Sequence, residues 1–319
     1  MHEVLKKISL IGIVPVIKID DVSKAVPLAK ALCKGGMPVA EITFRTDQAE
    51  SSIAIINKEV PEMLVGAGTI LTVEQVDRAV QAGAKFIVSP GFNPNVVEYC
   101  VKMNIPIIPG CINPSDIERA ISYGLDAVKF FPAEASGGIR MIKALSAPYD
   151  NMRFMPTGGI DTNNLNEYLS FSKVLACGGS WMVPENLLKE GNYNQITLLA
   201  KEAMANMLGF RMAHVGFNCE NEEQADLAAQ ELSFLFDLGL SNGSSSIFAG
   251  NMFELMKSPY KGTHGHIAIK TNYIDRAVNF LTHKGYEFDE TTAKKDDEGN
   301  LKAIYLKNEI SGFGIHLLQ

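Results

Sequence analysis

Histidine is nearly absent from the first two thirds of this 319-residue chain. Residues 1–206 hold only His2, whereas His214, His264, His266, His283 and His316 all lie beyond them. Acid–base chemistry in the first part therefore falls to carboxylate, lysine or tyrosine. Cysteine is also sparse. Cys33, Cys100, Cys111, Cys177 and Cys219 are scattered, odd in number and never spaced as CxxC, which reads as reduced thiols in a cytoplasm. No stretch approaches the roughly 18 uninterrupted apolar residues of a membrane span. The opening MHEVLKKISL lacks the apolar run and small-residue cleavage site of a signal peptide. There is no basic run and the net charge is −7, which argues against a nucleic-acid partner.

What is present is a core. Hydrophobic residues make up 46% of the chain, enough for two domains or a barrel with an appendage. Charge divides the chain where histidine does. Residues 1–206 carry 19 basic against 21 acidic side chains, and residues 207–319 carry 10 against 15.

Eight short apolar runs are spaced through the first part: Ile11–Ile19, Val39–Arg45, Leu64–Thr69, Phe86–Gly91, Ile105–Gly110, Ala127–Ala133, Phe154–Gly159 and Val174–Ser180. Amphipathic stretches such as Val22–Lys34, Val73–Ala82 and Pro114–Ser122 separate them. Eight βα units predict a (β/α)8 TIM barrel, with a doubly wound sheet as the competing reading. Barrel chemistry lies at the C-terminal strand ends. The glycines of PTGG (156–159) and CGGS (177–180) end strands seven and eight, where barrels bind phosphate through backbone N–H groups.

Lys129 sits inside AVKFFP (127–132). A lysine in an apolar strand is costly to keep charged, and a neutral amine can attack a carbonyl. Lys18 competes for that role, but Asp20 and Asp21 follow it and suggest a charged rim residue. Glu41, Thr43 and Arg45 share one face of strand two. Glu41 and Arg45 read either as a structural salt bridge or as a proton shuttle beside a carboxylate anchor.

The stretches EITFRT (41–46), VGAGT (65–69), SPG (89–91), IPIIPG (105–110), KFFPAE (129–134), PTGGI (156–160) and GGSW (178–181) resemble the class I aldolases that cleave 2-keto-3-deoxy-6-phosphogluconate (KDPG) and 4-hydroxy-2-oxoglutarate (KHG). The resemblance covers residues 1–206. It implies that Lys129 forms the Schiff base and that Glu41 moves protons. Arg45 would hold the substrate carboxylate with Thr69 nearby, and Pro90 and Phe131 would line the pocket. Thr157, Gly158, Gly159, Gly179 and Ser180 would cradle the phosphate. The implied substrate is a phosphorylated keto acid cleaved to pyruvate and glyceraldehyde 3-phosphate, with KHG giving pyruvate and glyoxylate and the galactonate epimer as an alternative. No cofactor is implied for this reaction, and a homotrimer is. Cys111-Ile112-Asn113 departs from the family pattern and bears on substrate preference.

Beyond the helix expected at Glu185–Met207 the rhythm changes. Residues 208–319 read as an α+β domain of two β-α-β-β modules, an internal repeat of about 50 residues by the spacing of its motifs. Strands are expected at His214–Phe217, Ser245–Ala249, Met252–Met256, His266–Ile269, Leu301–Lys307 and Gly314–Leu318. This module resembles the vicinal oxygen chelate (glyoxalase-like) fold. The resemblance implies a divalent metal at His214, Glu254, His266 and His316, although His316 stands where that family usually has glutamate. The domain is expected to support oligomer contacts or shield the first domain's site, to be a metal-dependent enzyme, or to sense a small molecule.

Overall fold

Alternation within the short apolar runs decides the first architecture, because every second side chain must point the same way. The computed structural model describes residues 1–319. It divides into two compact units, Met1–Met207 and Leu208–Gln319.

Unit 1 opens with helix α1 (Glu3–Ile11), followed by strands β1 (Ile13–Ile17), β2 (Val39–Thr43), β3 (Leu64–Gly68), β4 (Ile87–Val88), β5 (Ile107–Ile108), β6 (Ala127–Phe130), β7 (Arg153–Pro156) and β8 (Cys177–Gly179). Between them run α2 (Ala25–Lys34), α3 (Ala49–Glu59), α4 (Val73–Gln81), α5 (Pro94–Lys102), α6 (Pro114–Ser122), α7 (Gly138–Ser146) and α8 (Leu165–Leu169). One parallel arc runs β5-β4-β3-β2-β1-β8 and β6 pairs with β7. Single bridges Gly110–Lys129, Phe154–Val174 and Thr157–Gly178 join the arcs. Eight parallel strands thus close an α/β barrel in chain order, and the doubly wound alternative falls away. The helix expected across Glu185–Met207 is two helices, α9 (Glu185–Glu190) and α10 (Tyr193–Leu208). Gly191, at φ 71°, closes α9 with its N–H on the Leu187 and Leu188 carbonyls, a left-handed cap that stops the helix.

Successive interior positions form layers. Val39 and Ala127 belong to an apolar cluster with Val14, Phe86, Ile108 and Met155. Helix α1 adds Leu5, Ile8 and Ile11 to the same cluster. Two residues further along their strands stand Glu41 and Lys129. The apolar layer leaves this buried polar pair dry on one side.

Unit 2 contains β9 (Arg211–Asn218), α11 (Glu222–Phe236), β10 (Leu240–Asn242), β11 (Ser246–Ala249) and β12 (Phe253–Met256). It continues with β13 (Gly265–Lys270), α12 (Ile274–His283), β14 (Phe288–Lys295), β15 (Leu301–Leu306) and β16 (Phe313–Leu318). The modules are therefore β-α-β-β-β, each one strand longer than expected. The extra strands are β10, only three residues long, and β14, whose FDETTAKK is too charged to show an apolar run. All eight strands form one sheet in the order β10-β11-β12-β9-β13-β16-β15-β14. Central β9 and β13 run antiparallel, and each has a parallel neighbour, β12 and β16. The two halves repeat about that centre.

Candidate active site

Strand β2 delivers Glu41 and strand β6 delivers Lys129 into the barrel. Lys129 Nζ donates to Glu41 Oε1 at 3.2 Å and Oε2 at 3.4 Å. Their side chains are 7% and 1% exposed, so each charge depends on the other for the interactions water would supply. Glycine makes the room. A Cβ on Gly68, in the neighbouring strand, would stand 2.1 Å from Glu41 Oε1. The Lys129 backbone is tied twice to the end of β5: its N–H donates to the Pro109 carbonyl and its carbonyl accepts from Cys111 N–H, both at 2.8 Å. The Phe131 ring centroid lies 5.5 Å from Nζ, and the ring is partly exposed toward the mouth.

Arg45 does not pair with Glu41. Its Nε donates to Thr43 Oγ1 at 3.2 Å, and Thr43 in turn donates to the Ile17 carbonyl at 3.0 Å. The guanidinium is exposed just past the end of β2, available to an anion. Thr69 follows Gly68 in a left-handed backbone conformation, φ 58°. Pro90 packs where a side chain on Gly110 would strike its carbonyl. Lys18, the rival amine, is exposed and paired with Asp20 at 2.9 Å.

The ends of β7 and β8 build a second part of the mouth. Thr157 bridges Gly178, and its Oγ1 is buried without a hydrogen-bond partner. Gly158 and Gly159 have φ of 100° and 79°, which only glycine adopts cheaply. Gly179 leaves space filled by the Trp181 ring, and Ser180 is exposed. Sequence reasoning did not single out Glu134, whose side chain packs against Gly159 and accepts a hydrogen bond from the buried Tyr168 hydroxyl. Burial, then that bond, holds Tyr168 well above the usual phenol range. Nor did it single out Gly68, although two glycines inside LVGAG were the available signal. In the departing loop, burial pushes the Cys111 thiol up to about 12. Asn113 caps α6 by accepting from Asp116 N–H at 3.0 Å.

Unit 2 gathers its four named residues on one sheet face. His266 lies opposite Gly216 and Gly314, while Ala268 lies opposite His214 and His316. Glu254 lies opposite Gly216 on the other side. A Cβ on Gly216 would stand 2.0 Å from the His266 ring, so this glycine admits the imidazole. Glu254 Oε2 is 3.1 Å from His214 Nε2 and 3.0 Å from His266 Nε2, and those nitrogens are 3.2 Å apart. Such edges match donor atoms sharing an ion at about 2.0–2.2 Å. His316 completes the histidine cluster. Both its ring nitrogens are buried and unpartnered, and Tyr305 stacks on it at 4.4 Å. Burial, reinforced by His266 and His214, pushes His316 down to about 3. Burial opposes ionisation of Glu254, but hydrogen bonds from His214, His266 and Ser246 outweigh it and hold the carboxyl below its usual range. Ser246, absent from the sequence reading, donates to Oε1 at 2.6 Å and leaves Oε2 facing the histidines. His264 and His283 stay outside this cluster.

Comparison with known proteins places unit 1. The family model described as "KDPG and KHG aldolase" matches residues 2–199. A Treponema pallidum 2-dehydro-3-deoxy-phosphogluconate aldolase is 48% identical over 204 residues, covering 64% of this chain and 97% of that protein. A Legionella pneumophila KDPG aldolase, solved with pyruvate captured as a covalent carbinolamine, superposes with a TM-score of 0.61 at 39% identity, covering 63% of this chain and 98% of its own. A Zymomonas mobilis KDPG aldolase solved with 3-phosphoglycerate gives 0.61 at 40% identity, covering 64% and 96%. The chain is a carbon–carbon lyase, and through residues 2–199 it belongs to the KDPG and KHG aldolase family.

Proposed function

We propose that unit 1 cleaves KDPG to pyruvate and glyceraldehyde 3-phosphate through a Schiff base on Lys129. The observation that carries this reading is the buried Lys129–Glu41 pair at 3.2 Å. Glu41 takes a proton from the ammonium, and the freed amine adds to the C2 carbonyl. Glu41 then returns that proton to the departing hydroxyl as the carbinolamine loses water. The iminium draws the electrons of the C3–C4 bond as the C4 hydroxyl loses its proton, so the aldehyde leaves and an enamine remains. Protonation at C3 and hydrolysis release pyruvate and restore the lysine. Glu41 is the single carboxylate paired with the amine, which suits it to these transfers.

Arg45 holds the substrate carboxylate with Thr69 beside it, and Pro90 and Phe131 wall the pocket. Thr157, Gly158, Gly159, Gly179 and Ser180 receive the phosphate. The left-handed glycines and the unpartnered Thr157 hydroxyl support that placement. KHG is a second substrate on this reading, and a homotrimer is the assembly, both by family resemblance. Borohydride trapping with pyruvate, followed by peptide mapping, tests the mechanism. An adduct on Lys129 is expected. An adduct on Lys18, or none on the folded protein, sinks it.

For unit 2 we infer a glyoxalase-like domain with a divalent metal held by His214, Glu254, His266 and His316. The donor triangle of 3.0–3.2 Å and the unpartnered His316 nitrogens favour it. Such an ion supplies Lewis acidity toward oxygen ligands; the domain is then a metal-dependent enzyme or a small-molecule sensor. Elemental analysis after Zn, Ni and Mn challenge should find about one ion per chain, lost in His214→Ala/His266→Ala. A parent chain that stays metal-free overturns the inference.

A further inference from the structure

We propose that Tyr168 is a positioning residue for phosphate binding: its hydroxyl holds the Glu134 carboxylate beneath α8 and off the glycine turn at residues 157–159. The inference rests on the KDPG reading of unit 1, which gives that turn the phosphate.

The turn is pinned by its carbonyls. Ala133 N–H donates to the Thr157 carbonyl at 2.8 Å, Glu134 N–H to that of Gly158 at 3.1 Å, and Asn164 Nδ2 to that of Gly159 at 2.9 Å. A trans peptide sets its N–H opposite its C=O. The N–H groups of Gly159 and Ile160 therefore face away from Glu134 N–H and Asn164, and neither finds an acceptor within the chain. Successive backbone N–H groups in such a turn make an anion-binding concavity.

Glu134 sets a carboxylate in the wall of that concavity. A Cβ on Gly159 would stand 2.6 Å from Glu134 Cγ, and the Glu134 backbone N–H is committed to the Gly158 carbonyl. The side chain cannot leave the turn, so only its own torsions choose where the charge points. One direction brings it onto the N–H groups, where it would displace or repel a phosphate. The structure shows the other: Glu134 Oε1 accepts from the Tyr168 hydroxyl. Tyr168 is fully buried whereas Glu134 is exposed. Solvation alone would leave the carboxylate free to swing, and the fixed hydroxyl removes that freedom.

The surroundings are shaped to this bond. A Cβ on Gly138 would stand 3.2 Å from both Glu134 Oε1 and the Tyr168 hydroxyl oxygen, so the glycine leaves the pair its room. Asn164, the N-cap of α8, and Tyr168 are four residues apart, a spacing that puts them on one helix face. One short helix thus ties down both the Gly159 carbonyl and the Glu134 carboxylate.

Steady-state kinetics on the full chain tests this. Tyr168→Phe keeps the ring and removes the hydroxyl, and because Glu134 is exposed it strands no buried acceptor. KM for KDPG should rise about fivefold, the effect of one unit charge about 4 Å away in water. The kcat should stay within about twofold, since binding is lost equally from ground and transition states. Competitive inhibition by inorganic phosphate should weaken by the same factor as KM. Borohydride trapping with pyruvate, which carries no phosphate, should keep its parental rate. Tyr168→Phe/Glu134→Gln removes the charge and should restore both constants, a rescue that a merely structural tyrosine would not show. A parental KM in Tyr168→Phe overturns the proposal. A rise matched by slower pyruvate trapping, or one that Glu134→Gln does not reverse, also overturns it and assigns Tyr168 to packing. A parent that traps pyruvate without cleaving KDPG overturns the substrate reading, and this inference with it.

Discussion

Glu41 shows how much one side chain depends on its neighbours. Buried to 1% and held 3.2 Å from Lys129, its carboxylate gains from the pair only while both charges are present. Glu41→Gln keeps the shape and a hydrogen bond but cannot carry a proton. It should lower kcat by about 10²–10⁴, the usual worth of a positioned acid–base group. KM should change little, because Arg45 and the glycine ends of β7 and β8 remain. Steady-state kinetics checks this; a variant with near-parental kcat would remove Glu41 from the chemistry. The sequence marked Glu41 and Lys129 separately, each by its polar intrusion into an apolar run. It left open whether Glu41 would pair with Arg45. Alternation put both on one face, but Thr43 stands between them and takes the arginine's Nε.

At the scale of elements, the small residues of β3 matter as much as the charged ones beside them. Leu64-Val65-Gly66-Ala67-Gly68 gives up side chains at two inward positions. Gly66 makes way for Phe86 and Gly68 for Glu41. Gly68→Ala should therefore displace the Glu41 carboxylate rather than unfold the barrel. Overpacking of this kind costs about 1–3 kcal/mol, so Tm should fall modestly while borohydride trapping at Lys129 slows by at least tenfold. Unchanged trapping would show that Glu41 has room to spare. Element boundaries were legible where a run was long and apolar: seven of the eight barrel strands fall within the expected segments, and β7 starts one residue early, at Arg153. They were illegible where stability comes from pairing. Strands β10 and β14 lack apolar runs and exist because β11 and β15 offer them hydrogen bonds. The break at Gly191 was hidden inside a helical periodicity that continues on both sides.

For the whole molecule, two kinds of site stand in two separately packed units. On the proposed mechanism an iminium at Lys129 would supply the electrophile that a metal would supply in another aldolase, while the histidine cluster belongs to residues 208–319. Exhaustive chelation should then leave pyruvate-forming turnover within about twofold of its starting value. It should also lower the melting temperature of the unit 2 transition, since an ion that binds only the folded state stabilises it. Loss of lyase turnover, restored by metal, would show that the two sites are coupled.

By itself, the sequence determined the barrel, its strand order and the residue types at its mouth, because periodicity and glycine placement are local properties. It also determined that the last third follows another plan. Only the tertiary structure decided which charges meet. The distance from Glu41 to Lys129 spans 88 positions of chain, and that from His214 to His266 spans 52. Such separations are set by sheet register, and register depends on hydrogen-bond partners that no local stretch contains.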